Sequence, residues 1–320
     1  MTQTWINAMS FSSFAAPPTV RGEPAITDKR GDIEDVAMRW QSHSSRGATA
    51  AMASVVLLKR SGQTGCGTLI NRVVEIHGLA GSIGEQLTLA WAAEQDAQRF
   101  QSPDIERDPS RAQDIEFAQR MAVRALCEMS THFLLGAAHS LANLVLRVVL
   151  CNPAAATVIN RAKRNRTAEG FQPGSDLKAA WPTFGPNGKL WTQTVPEAAE
   201  YSGLEPLKAL VNRLTQLQQD GRFHELEERR GMDYHRHRPQ SLDHTSPRSG
   251  TWSYDHVNQV SRIAVPAANA DARRDETIVH RICVDALDCI ATALREAEPL
   301  LEPALAASHL SWRPKQAHLI

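Results

Sequence analysis

One long apolar stretch constrains the fold of this chain more than any other feature. Residues 111–150 repeat apolar positions at helical spacing, and their second half, FLLGAAHSLANLVLRVVL (133–150), is almost wholly apolar. A membrane span of this length would carry few polar groups, whereas this segment contains His139, Asn143 and Arg147. The stretch therefore predicts a buried core helix, which other helices must cover.

Other segments supply those covering helices. The pattern predicts a first helix from Asp32, a helix over 69–100 with a break near Gly78 and Gly81, and a last helix over 275–298. Hydrophobic residues make up 42% of the chain, and there is neither strand–helix alternation nor an internal repeat. These features predict an all-α fold, a helical bundle with long irregular insertions.

A further helix is predicted to start at Ser202, which has capping-box spacing to Glu205 and precedes a regular leucine stripe. Between the long core helix and this point, the chain is rich in proline, glycine and tryptophan, and it reads as an excursion folded onto the body by Trp181 and Trp191. A short hairpin is predicted around GTWSYDH (250–256).

The predicted organisation has four parts. Residues 1–30 form a flexible N-terminal arm, and 31–151 hold the N-terminal helices, including the core helix. Residues 152–200 form the excursion. Residues 201–320 hold the C-terminal helices, which pack with 111–151 as one bundle.

The charge balance excludes a globally basic nucleic-acid-binding protein, and the cysteine content indicates the cellular compartment. Lys+Arg and Asp+Glu are equal at 35 each, so any nucleic-acid contact must come from a local patch. The five cysteines are odd in number and scattered, which favours buried free thiols at Cys283 and Cys289 and a cytoplasmic location. No signal peptide is recognisable, and the core helix predicts no membrane association. The glycine-rich loop over 55–68 lacks the lysine of a phosphate-binding loop, so no nucleotide cofactor is expected.

The densest group of titratable residues lies in ELEERRGMDYHRHRPQS (225–241). Imidazoles exchange protons near neutral pH, and guanidinium groups bind phosphate oxygens. An arginine and a histidine at one phosphate suffice in principle for metal-free RNA cleavage, because the histidine assists the 2′-hydroxyl while the arginine stabilises the charge on phosphorus. The candidate residues are Arg229, Arg230, Asp233, Tyr234, His235 and His237.

Arg230-x4-His235, at the end of a helix in an all-α chain, resembles the Arg-x4–6-His motif of HEPN-domain proteins. This resemblance implies a small helical bundle, often dimeric, and in many members a metal-independent ribonuclease of toxin–antitoxin, abortive-infection or CRISPR-linked phage-defence systems. It also implies that Arg230 and His235 are the catalytic pair, with no cofactor. The spacings Arg229-x5-His235 and Arg230-x6-His237 match as well.

The family usually has Asn, Asp or His directly after the arginine, and here Gly231 stands there, which leaves Asp233 to supply that polar group. Arg274-Asp275-x4-His280 is a second match, although His280 is as easily a histidine at the edge of the core. The resemblance covers roughly 111–150 and 202–298.

Three other interpretations of these segments stay open. Residues 225–241 fit a solvated charged segment, in a non-enzymatic helical interaction or regulatory subunit. Asp233, His235 and His237 are a third-ranked metal site, without a matching partner ligand. A basic patch after the core helix contacts RNA or complements a helix dipole, with aromatic side chains nearby to stack on bases. That patch comprises Arg161, Lys163, Arg164 and Arg166, and the aromatic residues are Trp181, Phe184 and Trp191. The expected partners are RNA and a second copy of the chain or a partner protein.

Overall fold

The structure is a computed structural model that describes residues 32–45, 67–101, 112–167, 182–185, 188–235, 251–255, 260–264 and 270–310. Within these ranges, both strands and residues 67–71, 101, 112–118, 120, 163–167, 231–235, 270–277 and 309–310 are described by their backbone only. Contacts divide the chain into Met1–Asp32 and Ile33–Ile320, and the helices described below pack within the second unit.

The all-α prediction is confirmed, because eight α-helices make up the packed body of the described residues. They are α1 (32–45), α2 (Gly67–Gln101), α3 (Ala112–Leu150), α4 (Pro153–Thr167), α5 (Val195–Ser202), α6 (Glu205–Gln219), α7 (Gly221–His235) and α8 (Ala270–Leu310). A π-helical turn, Leu190–Thr194, leads directly into α5.

The predicted hairpin is also confirmed. Its strands are β1 (Thr251–Asp255) and β2 (Val260–Ala264), which pair antiparallel with Thr251 opposite Ala264 and Asp255 opposite Val260.

Helices α2 and α3 form a long antiparallel pair at the centre of the bundle. Arg72 donates to the carbonyl oxygen of Leu150 near one end, and Ser140 donates to Gln86 further along at 3.3 Å. Every residue from 141 to 150 is buried. The most apolar window of Met121–Leu150 is long and apolar enough to cross a membrane, and 78% of it is buried inside the bundle. The segment is therefore covered by other helices, as the prediction of a core helix requires.

The predicted break in α2 is wrong, since the helix runs without interruption through its glycines. A Cβ atom on Gly84 would lie 2.5 Å from the carbonyl oxygen of Ala37, and one on Gly81 would lie 2.8 Å from the Cβ of Ser44. Gly81, one of the two glycines of the predicted break, and Gly84 instead form a flat surface on which α1 packs closely.

Helix α1 lies between α2 and α8. The indole nitrogen of Trp40 donates to the carbonyl oxygen of Leu294 at 3.0 Å, and one turn later His43 Nε2 lies 2.8 Å from Glu298 Oε1. The partners on α8, Leu294 and then Glu298, follow the same order along the chain as Trp40 and His43 on α1, so the two helices run parallel. Trp40 is fully buried.

The irregular excursion predicted over 152–200 is wrong at both ends. Asn152 Oδ1 accepts from the backbone N–H of Ala155 at 2.9 Å, and Pro153 occupies the first position of α4. The residues that end the core helix thus also begin the next one, since an asparagine cap and a proline at the first turn both favour a helix start. Helical structure resumes at Leu190, well before the predicted restart at Ser202.

The capping-box prediction is wrong as well, because Ser202 closes α5 instead of opening α6. Its hydroxyl donates to the carbonyl oxygen of Ala199 at 2.6 Å and accepts from the N–H of Leu204 at 3.1 Å. Gly203 follows with φ of 67°, the left-handed conformation that commonly ends a helix. Helix α6 then begins at Glu205, with Pro206 in its first turn.

Helix α8 is longer than predicted at both ends. The predicted helix ends at Glu298, whereas the observed helix continues through Pro299 and Pro303 to Leu310. Each proline removes one backbone donor, at a cost that packing must offset. Leu301 and Ala304 are buried between and beyond the two prolines, so this last segment belongs to the main core.

Candidate functional site at the C-terminal end of α7

Contacts of Asp220 and Arg222 hold the first turn of α7 in place on the bundle. Asp220 Oδ1 accepts from the backbone N–H of Arg222 at 2.9 Å and from its Nε at 3.1 Å. The Arg222 guanidinium lowers the pKa of Asp220 to about 2. The same guanidinium donates to Asp288 of α8 at 3.0 Å. Because Phe223 and Leu226 are buried one turn apart, α7 presents a fixed face to the core, and Arg229 lies on that face one turn later.

Arg229 belongs to the interior of the bundle. It is only 6% exposed, and its positive charge contributes to lowering the pKa of the Cys283 thiol on α8. A guanidinium that contacts RNA phosphates must reach solvent. Arg229 is therefore a core arginine in this structure, which leaves Arg230 as the candidate of the two for contact with RNA.

The other residues of this group occupy the last turns of α7. Arg230 is partly buried, and the helix continues past it to His235, its last residue. Asp233, Tyr234 and His235 are described by their backbone only, and His237 lies outside the described residues. We call Arg230 and 233–235 the α7 end site.

The helix sets the relative placement of Arg230 and His235. His235 comes five positions after Arg230, which places the two positions about 140° apart around the helix axis. Arg229 and His235, six residues apart, are about 120° apart. Neither pair shares one helix face, so one α7 does not present both groups to a single phosphate from the same side.

In the second Arg-His match, Arg274 and His280, the histidine contacts a buried carboxylate of the bundle. His280 Nε2 lies 3.2 Å from Glu94 Oε1 of α2, and these side chains are 16% and 6% exposed. Arg274 is described by its backbone only, six residues earlier on α8. A carboxylate this well buried needs a hydrogen-bonding partner, and His280 provides it. His280 is thus placed at the edge of the core, as one of the two interpretations of this match expects.

Sequence reasoning missed the polar cluster that surrounds this pair. Cys127 and Thr131 of α3 and Cys283 of α8 lie in the interior near Glu94 and Arg229. The only signal in the sequence is that acid, hydroxyl and thiol side chains interrupt apolar helix faces.

A ladder of polar residues along α3 was visible in the sequence, but its partners were not. His139, Asn143 and Arg147 follow one another at intervals of four residues, which aligns them on one helix face. His139 Nε2 lies 3.3 Å from Glu227 Oε1 of α7, and Arg147 Nε lies 2.8 Å from Glu75 Oε1 of α2. The ladder therefore joins the core helix to α7 at one end and to α2 at the other.

The basic patch lies on α4. Arg161 is exposed, while Lys163, Arg164 and Arg166 are described by their backbone in the C-terminal part of that helix. Basic residues there complement the dipole of α4 itself, and an exposed Arg161 is also accessible to a phosphate backbone. Both interpretations of the patch remain predictions.

Two of the three aromatic residues predicted to stack on bases, Phe184 and Trp191, lie in the interior of the bundle. Phe184 and Trp191 are buried, with ring centroids 5.6 Å apart in an edge-to-face arrangement, and Phe184 also lies 5.3 Å from Phe223. Trp191 donates its indole N–H to the carbonyl oxygen of Thr183 at 2.8 Å. The prediction that these two rings stack on bases is wrong, because they hold the segment against the core. Trp181 lies outside the described residues.

Among the residues that the structure describes, no three His, Cys, Asp or Glu side chains form a group able to hold a metal ion. The side chains of Asp233, His235 and His237, the third-ranked metal site, are not among them. No protein-family model, curated protein or solved structure matches this chain.

Proposed function

We propose that this chain is an RNA-binding protein or metal-independent endoribonuclease of HEPN-like type, with Arg230 and His235 as the pair that acts on the RNA phosphate. The observation that carries the proposal is that both residues lie in the last turns of one helix, α7, which is anchored in an all-α bundle. A toxin–antitoxin or phage-defence setting, in the cytoplasm, is part of the same proposal.

The roles of the two side chains follow from their chemistry. His235 takes the proton of a 2′-hydroxyl as that oxygen attacks the neighbouring phosphorus, and Arg230 stabilises the negative charge that develops on the phosphate oxygens. Arg161 and its neighbours on α4 are the candidate contacts to the rest of the RNA backbone.

The angle between Arg230 and His235 around α7 favours a dimeric arrangement of the chain. Because they are about 140° apart around the helix, one phosphate receives both groups most readily when two copies of α7 face each other. Arg230 of one protomer and His235 of the other then approach the phosphate from opposite sides. A homodimer is therefore part of the proposal.

The test compares RNA cleavage by matched variants in the presence of EDTA. We expect the unmodified chain to cleave RNA, and His235→Ala and Arg230→Ala each to slow cleavage by about 100-fold or more. His132→Ala is the control, because His132 is exposed on α3 and lies outside the α7 end site. If the unmodified chain and His235→Ala are equally inactive, the nuclease proposal is wrong.

One observation favours a second function: Arg229 is buried in the bundle and His280 contacts buried Glu94, so neither residue is free to act on RNA. In that reading the chain is a non-enzymatic helical interaction or regulatory subunit, and its Arg-His segment contacts a protein partner. Titration with labelled RNA separates the two. A binding affinity that falls as salt rises and that weakens in Arg230→Ala supports RNA contact, whereas no measurable binding supports the interaction protein.

A further inference from the structure

Two thiols meet across the interface between α3 and α8. Cys127 and Cys283 are both fully buried and free. The Cys283 thiol donates to the backbone carbonyl oxygen of Cys127 at 3.3 Å, and Thr131 Oγ1 lies 3.3 Å from the same sulfur. The side chain of Cys127 lies close enough to the Cys283 thiol to influence its pKa. This arrangement places both sulfur atoms in one small volume although 156 positions separate them in sequence.

The pair lies apart from the main core. It forms a small second cluster with Ala97, Val123 and Val279, near the C-terminal end of α2 and the N-terminal ends of α3 and α8. Regions that bury few apolar side chains near helix ends open locally at a lower free energy than a large core does. A small oxidant therefore reaches these thiols through local opening, without unfolding of the bundle.

The surroundings make the two sulfur atoms unequal. Hydrogen bonds from Cys127 and Thr131 lower the pKa of Cys283, and the charge of Arg229 acts in the same direction. The hydrogen bond to Cys283, together with burial, raises the pKa of Cys127. Since the thiolate is the nucleophile, the Thr131 hydroxyl 3.3 Å from the Cys283 sulfur favours that sulfur as the one that reacts first.

We propose that Cys127 and Cys283 are a redox-active pair that a hydroperoxide oxidises to a disulfide joining α3 to α8. The Cys283 thiolate attacks the O–O bond, a sulfur–oxygen bond forms, and the leaving oxygen takes a proton to give an alcohol or water. The Cys127 thiol then attacks the sulfenic acid, the sulfur–sulfur bond forms as the sulfur–oxygen bond breaks, and the Cys127 proton passes to the leaving hydroxide to give water. Two thiols lose two electrons in total, and the hydroperoxide gains them. This proposal does not depend on RNA cleavage.

The deciding experiment maps disulfides in the full chain. The reduced protein is treated with hydrogen peroxide, its remaining thiols are blocked with N-ethylmaleimide, and unreduced digests are analysed by mass spectrometry. We expect a peptide pair linked through Cys127 and Cys283 to be the dominant cross-link. Recovery of both cysteines as maleimide adducts, while other cysteines are oxidised, overturns the proposal.

Matched variants give a second readout. The bridge closes a long loop, so we expect peroxide to raise Tm by about 5 °C or more, reversibly with dithiothreitol. Cys289→Ala is the control, because Cys289 is a buried thiol on the same helix that belongs to the main core and not to the small second cluster. It should keep both the cross-link and the shift in Tm, and Cys127→Ala should lose both. If Cys127→Ala does not fold, the peptide map of the unmodified chain decides alone.

Discussion

At the scale of single residues, buried polar side chains determine how the helices meet. A polar group that leaves water without a hydrogen-bonding partner costs free energy, so each one selects the helix that supplies its partner. Arg147 forms an ion pair with Glu75 on α2, and His280 lies within hydrogen-bonding distance of Glu94 on the same helix. Apolar packing alone tolerates small slips between helices, whereas these pairs permit one register. Their role is to specify the arrangement more than to add stability.

His77 makes one such contact sensitive to pH. It is 7% exposed on α2, and its ring stacks on that of His43 at 6.2 Å, with Glu302 of α8 nearby. The His43 ring in turn lies 2.8 Å from Glu298 Oε1. Burial, and then the neighbouring His43, lower the pKa of His77 below its ordinary value of 6.5, and Glu302 opposes this only in part. The unfolded chain therefore takes up a proton at a higher pH than the folded chain does.

The stability that neutral His77 contributes is complete above pH 6.5 and is lost as pH falls below it. We expect Tm to decrease between pH about 7.5 and about 5.5, and His77→Gln to decrease less over the same range. Thermal unfolding in matched buffers measures both slopes. The control is the exposed His132→Ala, which should keep the slope of the unmodified chain. An identical slope in His77→Gln would show that other groups cause the loss.

At the scale of elements, helix α2 shows that a glycine pattern has two opposite meanings. Glycine weakens an isolated helix, which is why Gly78 and Gly81 predicted a break. In the folded chain, Gly81 and Gly84 face α1, where a side chain would collide with it, while Gly78 has nothing within 4 Å of its missing Cβ. The same residue type is thus a packing requirement at two positions and a plain loss of helix stability at the third.

Alanine substitutions separate these two meanings. Gly84→Ala is expected to lower the free energy of unfolding by about 1–3 kcal/mol, because its Cβ forces α1 away from α2. Gly78→Ala is the matched control on the same helix. It is expected to raise the free energy of unfolding by about 0.5–1 kcal/mol through helix propensity alone. Urea denaturation measures both, and a stabilising Gly84→Ala would mean that α1 does not pack here as described.

At the scale of the whole molecule, the sequence predicted what depends on local periodicity and failed where distant partners decide. The all-α class and the core helix followed from apolar spacing. The continuation of α8 through Pro299 did not, since packing against the rest of the core outweighs the local cost of a proline. The site shows the same division. Adjacent arginines in α7 look equivalent in sequence, and the burial of Phe223 and Leu226 against the core shows which of the two, Arg229, is interior.

The division of the interior into a main core and a small second cluster predicts unequal stability within one molecule. Amides near Val123 and Val279 should exchange with solvent through local opening, at a lower free energy than amides near Leu141 and Leu294, which lie in the main core. Native-state hydrogen exchange at increasing denaturant concentrations measures both sets. Two substitutions on α8 extend the test, because their effects should differ in extent. Val279→Ala should speed exchange at the small cluster alone, whereas Leu294→Ala should destabilise the whole bundle by about 2–5 kcal/mol. A single opening free energy shared by all four regions would show instead that the two clusters unfold as one unit.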